Sequence, residues 1–490
     1  MLLTVVGVFL VIWTMISRWK NRRMIALAEQ LGPKSIALPI VGHAYRFLGN
    51  DEDRMKTFQR IGREALEKGG LISHWQGNRL YVSDPKVAEV LLKTCLEKDD
   101  TMKYFRVLLG NGSIFAPVSI WRPRRKVLAP TFSPKNLNYF VEVFSRQSSI
   151  MVDQLRTVAG KGAFSVWKYL TTYTMDSVCE TTLGIQVNAQ LQSEQPFLNA
   201  FENCCRLDAK RICQPWLYND TMYRLFCMDD FELHAHSKEL IWNFMNKVRF
   251  SDVESLKTFL ELLIESSGGG KGYTNVELRE ETLVIVLAGT DTSAVGTAFA
   301  TLMLTKHPDV QDKVYQEMQE VFGDSDRPVS SEDLPRLKYL ETVIKETLRL
   351  YPPVPFIVRK VQKDVTLPSG ITLLEGCGIF ISIWSIHRNP RYWGDDAEQF
   401  RPDRFIDTPL KHPAAFMPFS HGPRSCLGYQ YAMMSMKTAL ATLVRKYRVL
   451  PSEPKSDTSE AKKNTNELRL KFDVMMKDVH DFVVQLDLRT

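Results

Sequence analysis

Ten residues near the C-terminal end constrain the fold of this 490-residue chain most: Phe419-Ser420-His421-Gly422-Pro423-Arg424-Ser425-Cys426-Leu427-Gly428. Gly422 and Gly428 leave room for a flat macrocycle beside the backbone, and Arg424 would pair with a propionate. A cysteine thiolate donates electron density to haem iron and favours O–O cleavage. We therefore predict that Cys426 ligates haem; a buried cysteine without a ligand is the alternative interpretation.

A second segment, Ala288-Gly289-Thr290-Asp291-Thr292-Ser293, lies inside a helical stretch from about Asn275 to Lys306. A helix of this length crosses a whole domain, so its middle must lie in the core. Buried polar groups are costly unless they have partners or a function. A mid-helix threonine can bond to the carbonyl one turn back and loosen the helix, which leaves room beside a cofactor. Proton transfer by Asp291 and Thr292 is one interpretation; a satisfied core threonine is the other.

Further charged residues follow in two groups. Glu346 and Arg349 share one helix face, although most such pairs are exposed and contribute little. Trp121 and Arg125, four residues apart, also share a face. Arg359 follows a proline-rich turn, where it would add another contact to a propionate.

These segments, together with Phe400-Arg401-Pro402-Asp403-Arg404-Phe405, resemble the motifs of the cytochrome P450 family in both content and order. The resemblance covers nearly the whole chain. It implies a mainly α fold with small β-sheets, in a single large cytochrome P450-type domain. It also implies a haem-thiolate monooxygenase that activates O2 with electrons from an NADPH-dependent flavoprotein reductase, with cytochrome b5 as a further candidate partner. Asp291 and Thr292 would then relay protons.

The resemblance also assigns the other site residues. A Glu346–Arg349–Arg404 network would be structural and would hold the core that positions the cysteine loop. Haem b would be bound by Cys426 through its iron and by a set of contacts from four parts of the chain: Trp121, Arg125, Ala288, Gly289, Arg359, Phe419, Gly422, Arg424 and Gly428.

The chain looks most like a microsomal clade, found in arthropods, that includes fatty-acid ω-hydroxylases. Members of that clade often carry a glutamate that esterifies the haem, at the position of Ala288 in this chain. We therefore expect haem that is not covalently attached. The same departure weakens any transfer of ω-hydroxylase specificity, so fatty acids, steroids, terpenoids and xenobiotics all stay open as substrates.

The N-terminal segment, residues 1–17, is apolar and uncharged, and a basic cluster follows it directly. This pattern predicts a transmembrane anchor with the body on the cytosolic side of the endoplasmic reticulum. A cleaved signal peptide and a buried core helix are the alternatives. Residues 18–42, with Gly32-Pro33 and Pro39, are predicted to form a hinge, and residues 43–490 the catalytic domain.

Composition excludes several classes of function. A net charge of +7 is mild for this length and indicates no nucleic-acid partner. The eight cysteines form no metal-binding or disulfide pattern, which suits a reducing compartment. Four basic residues are candidates for docking an acidic reductase: Arg122, Arg124, Lys126 and Lys437.

Substrate contacts are expected from residues 103–118, 200–235, 284–288 and 354–357. Aromatic residues in the second segment would either contact a membrane or belong to the core: Phe201, Trp216, Tyr218, Tyr223 and Phe226. Two other functions compete, a haem-thiolate isomerase or dehydratase that rearranges peroxides and a non-catalytic haem-binding protein. The intact Asp291-Thr292 pair argues against both.

Overall fold

The computed structural model describes residues 12, 15, 16, 19, 22–32, 35–38, 42–74, 79–247, 258–266, 273–406, 408–452 and 468–489. Its longer helices are α1 Arg22–Leu31, α2 Asp51–Glu67, α3 Pro85–Thr94, α4 Lys103–Leu109, α5 Val118–Leu128, α6 Pro134–Leu155, α7 Trp167–Leu183, α8 Pro196–Cys213, α9 Asp220–Phe226, α10 Met228–Lys247, α11 Phe259–Ser266, α12 Asn275–Lys306, α13 Pro308–Phe322, α14 Lys338–Leu350, α15 Ile383–Ile386, α16 Pro390–Trp393 and α17 Tyr429–Lys446. Short 3₁₀ turns are Ala44–Phe47, Asp100–Met102, Ala129–Phe132, Ala189–Leu191, Pro215–Leu217, Pro402–Phe405 and Pro413–Ala415.

The strands are short: β1 Leu71–His74, β2 Arg79–Val82, β3 Phe164–Ser165, β4 Phe356–Lys360, β5 Val365–Thr366, β6 Thr372–Leu373, β7 Gly378–Ser382, β8 Tyr447–Pro451, β9 Leu470–Asp473, β10 Met475–Asp478 and β11 Val483–Leu488. The largest sheet has the order β1-β2-β7-β4, with β2 parallel to β7 and the other pairs antiparallel. The predicted mainly α fold with small β-sheets is confirmed.

Helix α12 runs through the interior and has the predicted bounds. It begins with a capping box in which Thr274 and Glu277 satisfy each other's backbone N–H groups. Most of its residues are buried, and it packs against α7, α14 and α17. A helix that is apolar on all sides belongs in a core, so its central residues reach the middle of the molecule.

The C-terminal strands belong to two sheets. Strands β9 and β10 form a hairpin of their own, with Met475 opposite Asp473. Strand β11 instead lies between β3 and β8. The hairpin packs against α8 and α12, which brings the end of the chain to the core helix.

The predicted anchor, residues 1–17, lies almost wholly outside the described residues and stays a prediction, as do the boundaries at residues 18 and 43. Residues 22–31, inside the predicted hinge, form helix α1, and its Leu27 and Leu31 are buried beside the large sheet. Within the described ranges, one helix is long and apolar enough to cross a membrane, namely α12. It is mostly buried in the protein, so it is a core helix.

Candidate active site

An internal cavity of about 420 Å³ separates the cysteine loop from the middle of α12. Cys426, Phe419, Arg424 and Gly428 line it on one side, and Ala288, Gly289 and Thr292 line it on the other. Trp121 and Arg125 of α5 also line it. Two segments that are distant in the chain, each singled out by its chemistry, therefore border one space.

The Cys426 side chain is accessible only through this cavity. It is the one cysteine classed as exposed among the described residues, yet protein surrounds it. Burial raises the pKa of the Cys426 thiol, and the Gly428 backbone N–H and the Arg125 guanidinium act in the opposite direction. The loop is closed by a 2.9 Å hydrogen bond from the Cys426 N–H to the Phe419 carbonyl. Both opposing contacts favour a thiolate, the form that ligates a metal.

In the structure, the roles of Gly422 and Gly428 differ from the predicted one, which was to leave room for a macrocycle. Gly422 has a φ of +76°, and a Cβ added there would lie 3.0 Å from the Leu92 carbonyl oxygen. Its conformation and its packing against α3 therefore require glycine. A Cβ added at Gly428 would lie 3.8 Å from the Cys426 sulfur, which is ordinary contact. What Gly428 contributes is its N–H group.

A cluster of buried cations lies at the cysteine-loop end of the cavity. Arg424 stacks 4.5 Å from the Trp121 ring centroid and donates to the Ala116 carbonyl at 2.6 Å. Arg359 is fully buried. Burial lowers the pKa of Arg359 to about 10, with Arg424 adding to the effect. Burial also lowers the pKa of Arg424 to about 10. The two side chains repel each other, and Glu97 offsets part of the charge of Arg424.

Lys98 belongs to the same cluster, although no motif in the sequence predicts a role for it. It lines the cavity, and burial, together with Arg359 and Arg424, holds its pKa well below its usual range. The Nε atoms of Arg359 and Arg424 are buried without a hydrogen-bond partner in the described part of the chain. Buried donors in native proteins are normally paired. A ligand with carboxylates, such as the propionates of haem, fits this cluster.

Thr292 lies where the sequence predicted, on the cavity face of α12. Its hydroxyl donates to the Ala288 carbonyl one turn back, at 2.7 Å. Ala288 and Gly289 also border the cavity. A Cβ at Gly289 would come within 3.0 Å of Val178, so glycine here also permits close packing against α7.

Asp291 is adjacent to Thr292 but points away from the cavity lining. Its side chain is buried, and Oδ1 lies 3.3 Å from the Lys477 Nζ on β10. Lys477 also lies 3.6 Å from Asp473 and 3.5 Å from the partly exposed Glu202. Burial raises the pKa of Asp291, against the effect of Lys477. Burial likewise raises the pKa of Asp473 to about 7. Lys477 is therefore the group that connects Asp291 towards solvent.

The predicted structural network is present and fully buried. The Arg349 Nε donates to Glu346 Oε2 at 2.7 Å, and the Arg404 Nε donates to Glu346 Oε1 at 2.9 Å. The Arg401 backbone N–H adds a bond of 2.8 Å to the same oxygen. This carboxylate thus accepts bonds from two guanidinium groups and one amide, which offsets the cost of burying it.

His387 links that network to the cysteine loop. Its carbonyl accepts from Arg349 at 2.8 Å, and its Nε2 accepts from the Met417 N–H at 2.9 Å. Its Nδ1 lies 3.0 Å from the Arg349 carbonyl, so the neutral ring donates there. Burial lowers the pKa of His387 to about 3. The sequence alone assigns His387 no role, because its contacts come from three distant segments.

The rest of the cavity wall is mainly apolar and comes from all four predicted segments. They contribute, among others, Phe105, Phe201, Val284 and Val354. The C-terminal hairpin adds Phe472, Val474 and Met475, which the sequence analysis missed. Nothing local marks these hairpin residues as cavity lining, because the position of the hairpin depends on tertiary packing.

Two of the four proposed docking residues are wrong. Arg124 is buried and bound to Glu277, Glu280 and Glu281 of α12. Lys437 is also buried and donates to Glu341 at 3.0 Å. Arg122 and Lys126 are exposed.

The five aromatic residues singled out in residues 200–235 divide between core and surface. Phe201 and Tyr223 are core residues, Trp216 and Tyr218 are half-buried, and Phe226 is exposed.

Cys426 faces a mid-helix threonine across a mainly apolar cavity, beside two arginines whose Nε atoms have no hydrogen-bond partner among the described residues. This combination defines a haem-thiolate enzyme. The cytochrome P450 family model matches residues 32–472, and the chain belongs to this family of monooxygenases. The cofactor of the family is haem b, and it is not covalently attached here, since Ala288 has no carboxylate that could esterify it.

The chain is similar to curated family members from animals. It is 31% identical to cytochrome P450 4V2 of Mus musculus over 92% of this chain and 89% of the relative. It is 30% identical to cytochrome P450 4c3 of Drosophila melanogaster, with the same two shares. It is 31% identical to cytochrome P450 4d2 of the same fly over 92% of this chain and 94% of the relative. The predicted likeness to this clade is confirmed.

Proposed function

We propose that this monooxygenase oxidises a lipophilic small molecule with electrons from an NADPH-dependent flavoprotein reductase, at the cytosolic face of the endoplasmic reticulum membrane. One observation carries the proposal: Cys426 and Thr292 line the same internal cavity, and its remaining walls are mainly apolar. Such a cavity excludes water and takes up apolar ligands.

The chain's residues divide the work between holding the cofactor and moving protons. Bound haem supplies the oxygen-activating chemistry. Cys426 would hold its iron, and Lys98, Arg359 and Arg424 would pair with its propionates. The Thr292 hydroxyl would hold a proton at the cavity wall. Asp291, tied to Lys477, would exchange that proton with solvent near Glu202.

Two features of the surface support the proposed contacts with a reductase and with a membrane. Arg122 and Lys126 are exposed on α5, so they are the candidates that remain for docking an acidic reductase. An apolar patch on α9 exposes Leu225 by 71% and Phe226 by 64%. Together with the predicted N-terminal anchor, such a patch suits contact with a membrane.

The carbon monoxide spectrum of the reduced protein tests the core of this proposal. The wild-type protein and the control Cys227→Ser should give the red-shifted band of a thiolate ligand, and Cys426→Ser should lose it. Cys227 is half-buried and lies outside the cavity lining, so it controls for loss of a thiol. A Cys426→Ser protein that kept the band would contradict the assignment of the ligand.

Reconstitution separates the competing functions. With reductase, NADPH and O2, the wild-type protein should form oxygenated products from lipophilic substrates. Turnover of a lipid hydroperoxide without reductase, and no turnover with it, would instead show an isomerase or dehydratase. A normal carbon monoxide band without either activity would show a non-catalytic haem protein.

A further inference from the structure

One face of helix α8 borders the cavity and carries an acidic residue. Phe201, Cys205, Asp208 and Ile212 line the cavity, and their spacing of four, three and four residues puts them on one side of the helix. The Asp208 side chain is 1% exposed. A carboxylate on an otherwise apolar face is costly to bury, so it calls for a partner.

Asp208 is only partly satisfied by the protein. Its Oδ1 lies 3.3 Å from the His234 Nε2 on α10. Its Oδ2 is buried and has no hydrogen-bond partner in the described part of the chain. Buried carboxylate oxygens normally accept hydrogen bonds, so Oδ2 is an unused acceptor beside the substrate cavity.

The other charged residues of the cavity wall either have protein partners or are assigned to the haem propionates. The second acidic residue of the wall, Glu281, accepts from Arg124 at 2.9 Å and from the Ser113 hydroxyl at 2.9 Å. The basic residues of the described wall are Lys98, Arg125 and Arg424. All three belong to the cysteine-loop end, where the haem propionates need them. The described wall therefore keeps no cation for the carboxylate of a fatty acid.

We propose that Asp208 binds a hydroxyl group of the substrate, so that the substrate is a lipophilic alcohol and not a fatty-acid carboxylate. The hydroxyl donates its proton to the Asp208 Oδ2. An ammonium group would also donate, but burying a charge in an apolar cavity costs more than burying a hydroxyl. This inference rests on the proposed function, because it assigns a substrate class to the same cavity.

Three ligands of equal chain length test the proposal on the haem-loaded protein: 1-dodecanol, dodecanoate and dodecane. Difference spectra at pH 7.5 report binding through displacement of water from the iron. In the wild-type protein, 1-dodecanol should bind at least tenfold more tightly than dodecanoate. Asp208→Leu should weaken 1-dodecanol by about tenfold, because a charge-assisted hydrogen bond is lost. It should not weaken dodecane.

Two further variants make the result specific. Asp208→Asn keeps the shape and one acceptor oxygen, so its affinity for 1-dodecanol should fall between the other two; it also covers a failure of Asp208→Leu to fold. Asp229→Leu removes an exposed acid of α10 and should behave as the wild type does. Equal binding of 1-dodecanol to wild type and Asp208→Leu, or tighter binding of dodecanoate than of 1-dodecanol by wild type, would overturn the proposal.

The carbon monoxide spectrum distinguishes a failure of the Asp208 proposal from a failure of the proposed function. A wild-type protein without the thiolate band would contradict the haem-thiolate assignment itself. A normal band in wild type and variants, with no preference for the alcohol, would contradict only the role of Asp208.

Discussion

Thr292 and Asp291 are neighbours in the chain that lie in different surroundings. Thr292 borders the cavity, whereas Asp291 is buried against Lys477 on the opposite side. Successive residues of a helix point about 100° apart, so a single turn can serve both the cavity and the protein interior. The pair therefore joins the cavity to the charged cluster behind α12.

Replacing Thr292 by alanine should uncouple reductant use from product formation. NADPH consumption should continue, while product formed per NADPH falls roughly tenfold or more and peroxide is released, because the cavity loses its proton donor. Product and peroxide are measured together in the reconstituted system. Thr290→Ala is the matched control, since Thr290 makes the same bond, to Val286 at 2.7 Å, outside the cavity lining. Equal coupling in both variants would exclude Thr292 as the donor.

At the scale of elements, α14 and the segments around it form the support of the cysteine loop. Glu346 of α14 binds Arg404 of the 3₁₀ turn Pro402–Phe405, and Arg349 binds the other oxygen of the same carboxylate. His387 then connects α14 to Met417, just before the loop. Each bond is buried, so this support is as rigid as the core around it.

Glu346→Ala should destabilise this support and reduce haem loading. It leaves the buried Arg349 guanidinium without a carboxylate partner, while Arg404 keeps only Asp396, at 3.3 Å. This change costs about 3–5 kcal/mol in the free energy of unfolding. Denaturant unfolding and the haem-to-protein absorbance ratio measure the two effects. The control Lys93→Ala breaks an exposed pair with Glu89 and should cost about 1 kcal/mol or less. A Glu346→Ala protein with normal stability and haem content would refute the structural role.

His387 should make stability depend on pH. Its pKa is lowered to about 3 in the folded protein, against 6.5 when unfolded, so the unfolded state binds the proton first. Its contribution is complete above about pH 6.5 and declines as the pH falls towards 3, by up to about 1.4 kcal/mol per pH unit. The difference in unfolding free energy between wild type and His387→Gln should therefore shrink from pH 7 to pH 5.

The control for this experiment is His236→Gln, which replaces an exposed histidine. Its difference from wild type should stay constant over the same range. Because Asp473 titrates with the opposite sign, only differences between variants isolate His387. A difference for His387→Gln that does not change with pH would contradict the buried neutral ring.

At the scale of the whole molecule, the C-terminal hairpin of β9 and β10 packs against the core helix α12. Phe472, Val474 and Met475 of this hairpin line the cavity. Lys477 of the same hairpin pairs with Asp291 of α12. One hairpin therefore contacts both the substrate cavity and the buried charged cluster.

Lys477→Met should disturb coupling without removing haem. Without this cation, the pKa values of Asp291 and Asp473 should rise further. Asp473, whose pKa is about 7 with the cation present, should then stay protonated at neutral pH. Wild-type coupling should change with pH near 7, where Asp473 titrates, and the variant should show this change at higher pH. Product per NADPH from pH 6 to pH 9 measures the shift.

The matched control is Lys471→Met, on the same hairpin. Lys471 pairs with the exposed Asp481 at 2.8 Å, and its charge lowers the pKa of Asp473 less than that of Lys477 does. Its pH profile should therefore shift less than that of Lys477→Met. If Lys477→Met and Lys471→Met gave the same profile as wild type, the buried cluster would have no part in coupling.

The sequence alone predicted Cys426 as the haem ligand, the bounds of α12 and the Glu346–Arg349 pair. In each case the residues that carry the chemistry are close in the chain, so local spacing decides their geometry. The order of these segments also identified the family. Arg124 shows the limit of such reasoning, because a basic run predicts an exposed surface, whereas three glutamates of α12 bury this residue.

Only the tertiary structure decided the roles of Lys98, Asp208, His387 and Lys477. None of them lies in a segment whose pattern announces a partner, and each gains its role from burial beside groups that are distant in the chain. Burial raises the cost of an unpaired charge, and packing alone determines which side chains share a buried space. For that reason the ligand of the iron could be predicted from ten residues, while the polar contact for the substrate required the folded chain.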